Sequence, residues 1–139
     1  MSQALLAGIS RTTRPQSMVR RFLALDAVVT GTNGLAYLLA SDALGDLLGM
    51  SPALLFELGL FLTAFAAGVA WLASRRQPPT RGVKFVVDAN LLWALGSIVS
   101  LVGWIDPSTA GAVWILMQAG TVAGFAALQW AALRGATAP

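Results

Sequence analysis

Four long apolar runs, with every basic side chain confined to alternate connections between them, leave this 139-residue chain few ways to fold. Arg11, Arg14, Arg20 and Arg21 precede the first run, Arg75, Arg76, Arg81 and Lys84 separate the second from the third, and Arg134 follows the fourth. The two other connections contain neither Lys nor Arg and carry Asp42, Asp46 and Asp106 instead. Cytoplasmic segments of membrane proteins are enriched in Lys and Arg, so the chain reads as a multi-pass protein of the cell membrane with both termini in the cytoplasm. The fold class expected is all-α: four transmembrane helices in an up-and-down antiparallel bundle.

Composition agrees. Hydrophobic residues make up 57% of the chain and charged residues 11%, well below the roughly 25% charged content of a soluble domain. The mean hydropathy is +0.73 and the pI about 10.7. In a soluble protein that pI would suggest nucleic acid. Here the positive charge flanks the spans, where it orients the protein and meets anionic headgroups, and no nucleic-acid partner is expected. The absence of Cys and His removes disulfides, thiol chemistry and His/Cys metal sites. No metal and no cofactor is therefore expected, and the chemistry left is that of carboxylates, amides and hydroxyls.

A helix needs about 20 residues to cross the hydrocarbon, which places the spans at 20–40, 52–73, 82–105 and 108–133. Residues 1–19 and 135–139 are left as cytoplasmic tails around a domain of 20–134. Pro52 and Pro107 fit first turns, each beside a serine able to cap (Ser51, Ser108), and the Pro78-Pro79 pair marks a loop. Arg20-Arg21-Phe22-Leu23 resembles a twin-arginine export signal, but three more spans follow, so it is expected to stay as the first helix. Asp26 and Asp88 sit at similar depth in the first and third spans, a trace of two repeated hairpins.

Polar residues inside spans cost energy unless paired or turned to a cavity. In the first span Asp26, Thr30, Asn33 and Tyr37 recur at steps of four, three and four, which puts them on one stripe. The same spacing aligns Asn90, Trp93, Ser97, Ser100 and Trp104 in the third span, and Trp114, Gln118, Thr121, Phe125 and Gln129 in the fourth. The second span offers Glu57, Phe61, Ala64 and Gly68. Turned inward, these faces form a pocket centred on Asn33, Trp93, Ser97 and Gln118, with Thr30, Tyr37, Asn90 and Thr121 as further lining. Such amides and hydroxyls equally serve as interhelical hydrogen-bonding glue.

The carboxylates are shallow. Asp26 and Asp88 lie about 6 to 8 Å inside Arg21 and Lys84 along the helix, so each can pair with that neighbour. Asp88 points away from the Asn90/Trp93 stripe, and Asp26 is the better pocket acid. Trp71, Trp130, Trp104 and Trp114 fall at span ends and read as interfacial anchors. Trp93 falls near mid-span and needs a partner such as Asn33 or Gln118 for its N–H. Gly120 with Gly124, Gly31 with Gly34, and Ala64 with Gly68 offer close-approach surfaces, within the bundle or in a homodimer.

The run from Leu25 to Leu38, with the Asp88/Asn90/Trp93 segment and Gln118-Ala119, resembles small four-span membrane proteins of high-GC actinobacteria. The resemblance covers most of the chain. It implies a bacterial protein of this topology and transfers no activity.

Three functions are consistent with these residues. The first is binding or transport of a small lipophilic or cationic molecule, with Asp26 or Glu57 supplying charge and Trp93 and Tyr37 supplying aromatic faces. The second is a membrane-embedded acid/base enzyme on a lipid or isoprenoid-like substrate, with Asp26 as catalytic acid, joined by Glu57 or Asp88, and Asn33 and Gln118 orienting substrate. The third is an accessory subunit whose polar stripes meet a larger partner in the bilayer.

Overall fold

The computed structural model describes residues 14–137, and Arg11 lies outside them. The described residues form five helices: α1 (Arg14–Leu39), α2 (Ser41–Leu48), α3 (Pro52–Ser74), α4 (Thr80–Gly103) and α5 (Thr109–Thr137). Four of them, α1, α3, α4 and α5, are long and apolar enough to cross a membrane, and they form the up-and-down bundle expected from the sequence. α1 starts six residues before position 20, and its early turns are already in the core, with Val19 fully buried. The short α2 was not foreseen. Its eight residues are too few for a span, and they lie at the end of the bundle opposite the start of α1 and the finish of α5.

Local chemistry sets the boundaries. α2 stops at Gly49, whose φ of 66° is left-handed backbone that glycine adopts without steric cost. Ser51 caps α3, its Oγ accepting from the Leu54 N–H, and Pro52 occupies the first turn, where its missing N–H costs nothing. Ser108 caps α5 in the same way, accepting from the Gly111 N–H at 3.1 Å. Pro107 therefore precedes the cap instead of entering the first turn. Ser108 also donates its amide to the Leu48 carbonyl (3.0 Å) and its hydroxyl to the Leu47 carbonyl (2.8 Å), which fastens α2 to the start of α5.

The four long helices do not pack equally. α1 packs most extensively on α3, α4 on α5, and α1 on α5, while α3 and α4, consecutive in the chain, scarcely meet. They approach where the basic residues gather, with Leu72 of α3 against Gly82 of α4. A dry core fills that end, formed by Val19, Leu23, Val69, Leu72, Val83, Val86 and Leu133. The Arg20 guanidinium Nε donates to the Ala73 carbonyl at 3.1 Å, placing a cation at the C-terminus of α3 where the helix dipole favours it. Arg75 lies over the Trp71 ring, 5.0 Å from its centroid. A second, smaller core of Tyr37, Leu55 and Leu62 lies toward the other end.

Candidate functional site

Successive inward positions of α1 step through three environments. Val19 and Leu23 belong to the dry core, Asp26 and Thr30 to a buried polar node, and Asn33 and Tyr37 to a cavity. The steps of four, three, four, three and four keep all six on one stripe, so the pattern read in the sequence extends about two turns further toward the basic end.

Asp26 is wholly buried, with 0% exposure. Its Oδ1 accepts from the Thr30 hydroxyl at 2.8 Å. Its Oδ2 accepts from Asn90 Nδ2 of α4 at 2.8 Å and from Gln129 Nε2 of α5 at 2.7 Å. Asn90 also donates to Gln129 Oε1 at 3.2 Å. The node thus ties three helices together with neutral donors on a carboxylate, and the partners are Thr30, Asn90 and Gln129, not Arg21 or Lys84. Gln129 had been aligned on its helix face, but a glutamine 103 positions away along the chain cannot be paired with Asp26 from local spacing.

Beyond the node lies a cavity of about 310 Å³ lined by Thr30, Asn33, Tyr37, Phe61, Phe65, Asn90, Trp93 and Gln118 among others. A second of about 450 Å³ shares Tyr37, Leu92, Trp93 and Gln118 with it and continues past Ser97, Ser100, Trp104 and Trp114. Both fall within the roughly 300–1,000 Å³ of small-molecule sites. Phe61 and Leu92, on facing helices, line the first cavity and are also exposed at the outer surface of the bundle, 54% and 68% respectively. The cavity therefore reaches the side of the bundle through the seam where α3 and α4 part.

An aromatic wall flanks that seam. Phe61 stacks on Trp93 with centroids 5.8 Å apart and rings 4° from parallel, and Phe65 continues the stack at 6.1 Å from Phe61. The Trp93 indole N–H donates to Gln118 Oε1 at 2.7 Å, and Gln118 in turn donates to the Ile115 carbonyl. Trp93 thus both bonds Gln118 and lines the cavities. Trp114 donates its N–H to the Tyr37 hydroxyl at 2.7 Å. Its ring also lines the second cavity, on the face of the fourth span that the spacing turns inward, and the bond to Tyr37 gives its indole N–H the acceptor a partly buried indole requires.

Asn33 differs from the other amides. It lines the first cavity, and its side chain makes no hydrogen bond among the described residues. Of Asn33, Ser97, Gln118 and Thr121, only Gln118 bonds another helix among the described residues. The hydroxyls of Ser97 and Thr121 donate to carbonyls four residues back, at 2.7 and 2.9 Å, within their own helices. Ser97 still lines the second cavity, whereas Thr121 is exposed and lines neither.

The three carboxylates are not assembled. Glu57 and Asp88 are exposed and line neither cavity, while Asp26 lies behind Thr30 and Asn90. On α3 the inward face is Leu55, Gly59, Leu62, Ala66, Val69 and Leu72. Of the face expected there, Phe61 alone reaches the cavity, and Glu57, Ala64 and Gly68 point outward. Comparison with protein-family models, with curated proteins and with solved structures gives no match.

Proposed function

We propose that this chain is a membrane-embedded binding protein for a small, neutral, lipophilic molecule that carries a planar ring and at least one hydrogen-bonding group. The observation that carries this reading is the cavity at the α3/α4 seam, walled by Phe61, Phe65 and Trp93 and holding an amide, Asn33, without a partner. A stacked aromatic wall favours a planar apolar body, and an amide lacking a partner in apolar surroundings gains from a ligand that satisfies it. Entry is sideways from the bilayer, where a lipophilic molecule is already concentrated. The topology fits both termini in the cytoplasm, since the basic residues of the described helices cluster at the end where α1 starts and α5 finishes.

A neutral ligand is favoured over a cation because no carboxylate oxygen faces either cavity. Asp26 spends both oxygens on Thr30, Asn90 and Gln129, and Glu57 and Asp88 are outside. The same arrangement speaks against acid/base catalysis by these three groups, as none reaches the place a substrate would occupy. Native mass spectrometry of the protein extracted in mild detergent tests the reading. A discrete small molecule is expected on the wild type and is expected to be lost in Asn33→Leu and Trp93→Ala. Retention of the same mass in both variants places the molecule elsewhere and removes this reading.

A further inference from the structure

We propose that the two cavities are one site and that their ligand is a lipid in two parts: a ring bearing two acceptor oxygens, of the quinone class, in the chamber at Asn33, and a hydrocarbon chain in the chamber that continues toward Trp104. The inference rests on the binding reading above and names the chemical class of the molecule bound.

The chambers share Tyr37, Leu92, Trp93 and Gln118, so they meet without a helix between them. They also run on along the same pair of helices. On α3 the lining steps from Phe65 and Phe61 in the first to Leu58 and Leu54 in the second, and on α4 it steps from Ala89 to Ser100. Each path covers about 16 Å of helix, close to half of the roughly 30 Å hydrocarbon core and so to the length of one lipid chain.

What the chambers offer a ligand differs. In the first, Asn33 has no partner, and the Tyr37 hydroxyl accepts from Trp114 while donating to nothing among the described residues. These two donors stand one turn apart on α1, about 6 Å along its axis, beside the Phe61–Trp93 stack. One carbonyl satisfies one of them, whereas a planar ring with acceptor oxygens at two edges satisfies both, and a quinone is such a ring. In the second chamber the polar side chains are already paired. Ser97 and Ser100 donate to carbonyls of their own helix, Trp114 to Tyr37 and Trp93 to Gln118. The exception is Trp104, 72% exposed at the end of α4. Such a chamber suits hydrocarbon, since its lining loses dispersion contacts when nothing fills it. A chain tethered to a bound ring fills it in preference to free lipid chains, because the tether raises its local concentration.

The test compares menadione, the bare methylnaphthoquinone ring, with phylloquinone, the same ring carrying a phytyl chain. Binding is read as saturable quenching of tryptophan fluorescence, with the protein in phosphatidylcholine nanodiscs and each quinone expressed as a fraction of the lipid. Wild type is expected to bind both. Gly96 lines the second chamber and not the first, and a Cβ added there has nothing within 4 Å, so Gly96→Phe fills the chain chamber and leaves the ring chamber open. It is expected to weaken phylloquinone at least about tenfold while menadione changes by less than about twofold. Leu54→Phe, which fills the same chamber from α3, gives the same split, and Asn33→Leu weakens both quinones alike. Exclusion of phylloquinone by the wild type, or equal effects of Gly96→Phe and Leu54→Phe on the two quinones, overturns the two-part site and leaves the cavity reading intact. If wild type binds neither quinone, the class is wrong, and the cavity reading is decided separately by the mass found in the native spectrum. Binding of both that is unmoved by Asn33→Leu removes the cavity reading as well.

Discussion

The α1/α3 seam and the α3/α4 seam share a helix and are built in opposite ways. Along the first, glycines let the backbones close on one another. A Cβ added to Gly59 would stand 2.8 Å from the Gly34 carbonyl and 2.9 Å from the Leu38 amide, and one added to Gly34 would stand 2.8 Å from the Thr63 amide. Along the second, the helices part beyond Leu72 and Gly82 and are bridged by the Phe61–Trp93 stack. In lipid, where apolar side chains gain little by leaving their solvent, close packing is what holds helices together. The difference therefore marks α1 and α3 as a fixed pair and the α3/α4 seam as the side that can admit a molecule.

The largest expected effect breaks the fixed pair. Gly59→Val puts branched carbon against main-chain atoms that cannot rotate away. We expect a loss of about 3 kcal/mol, the upper part of the range for overpacking, read as a lower midpoint of thermal unfolding in detergent. A stability unchanged by this substitution would show that the two helices are not held by backbone approach. The open seam should respond less. Phe61→Ala removes the stacking on Trp93 and on Phe65, each pair worth about 1 kcal/mol for a ring half exposed already, and is expected to raise hydrogen exchange in α4 around Trp93 while leaving α1 unchanged. An equal rise in both helices would contradict the division into a fixed pair and an open seam.

How far the sequence reveals this arrangement depends on contrast. The spans were legible because length and charge alone mark them, and the α1 stripe because four polar residues stand out from an apolar background at helical spacing. On α3 that contrast is missing. Both of its faces are apolar and both carry small residues, Gly59 and Ala66 inward and Ala64 and Gly68 outward, and polarity misleads, since its one carboxylate, Glu57, faces out. The Asp26 node was half legible. Asp26, Thr30 and Asn90 were each singled out, but the bonds that join them to Gln129 depend on how α4 and α5 rotate against α1, which no local pattern encodes. Thr121 shows the reverse error: it kept the spacing of its stripe, yet its hydroxyl is satisfied by the Met117 carbonyl of its own helix and it needs no inward position.

Glycine spacing offers the sharpest version of the comparison between seams. Gly120 and Gly124 on α5 repeat at the interval that suggests close helix approach, as Gly31 and Gly34 do less regularly on α1. Of these two pairs, the α1 glycines alone meet another helix among the described residues. Gly31 faces Ala66 at 3.4 Å and Gly34 faces Thr63, whereas Gly120 and Gly124 have nothing within 4 Å of an added Cβ. If a single bundle is the working unit, Gly124→Leu should shift stability by no more than about 0.5 kcal/mol, because the new side chain simply meets lipid. A loss as large as that from Gly59→Val, accompanied by a change of mass in light scattering from two chains to one, would mean that the α5 glycines pack against a second copy. The outward face of α5 would then be a close-packed seam of the same kind as α1/α3, and the contrast drawn within one chain would extend to the dimer. An unaffected Gly124→Leu protein confines backbone approach to α1 and α3, where the absence of side chains is needed to bring Asn33 and Tyr37 to the edge of the cavity.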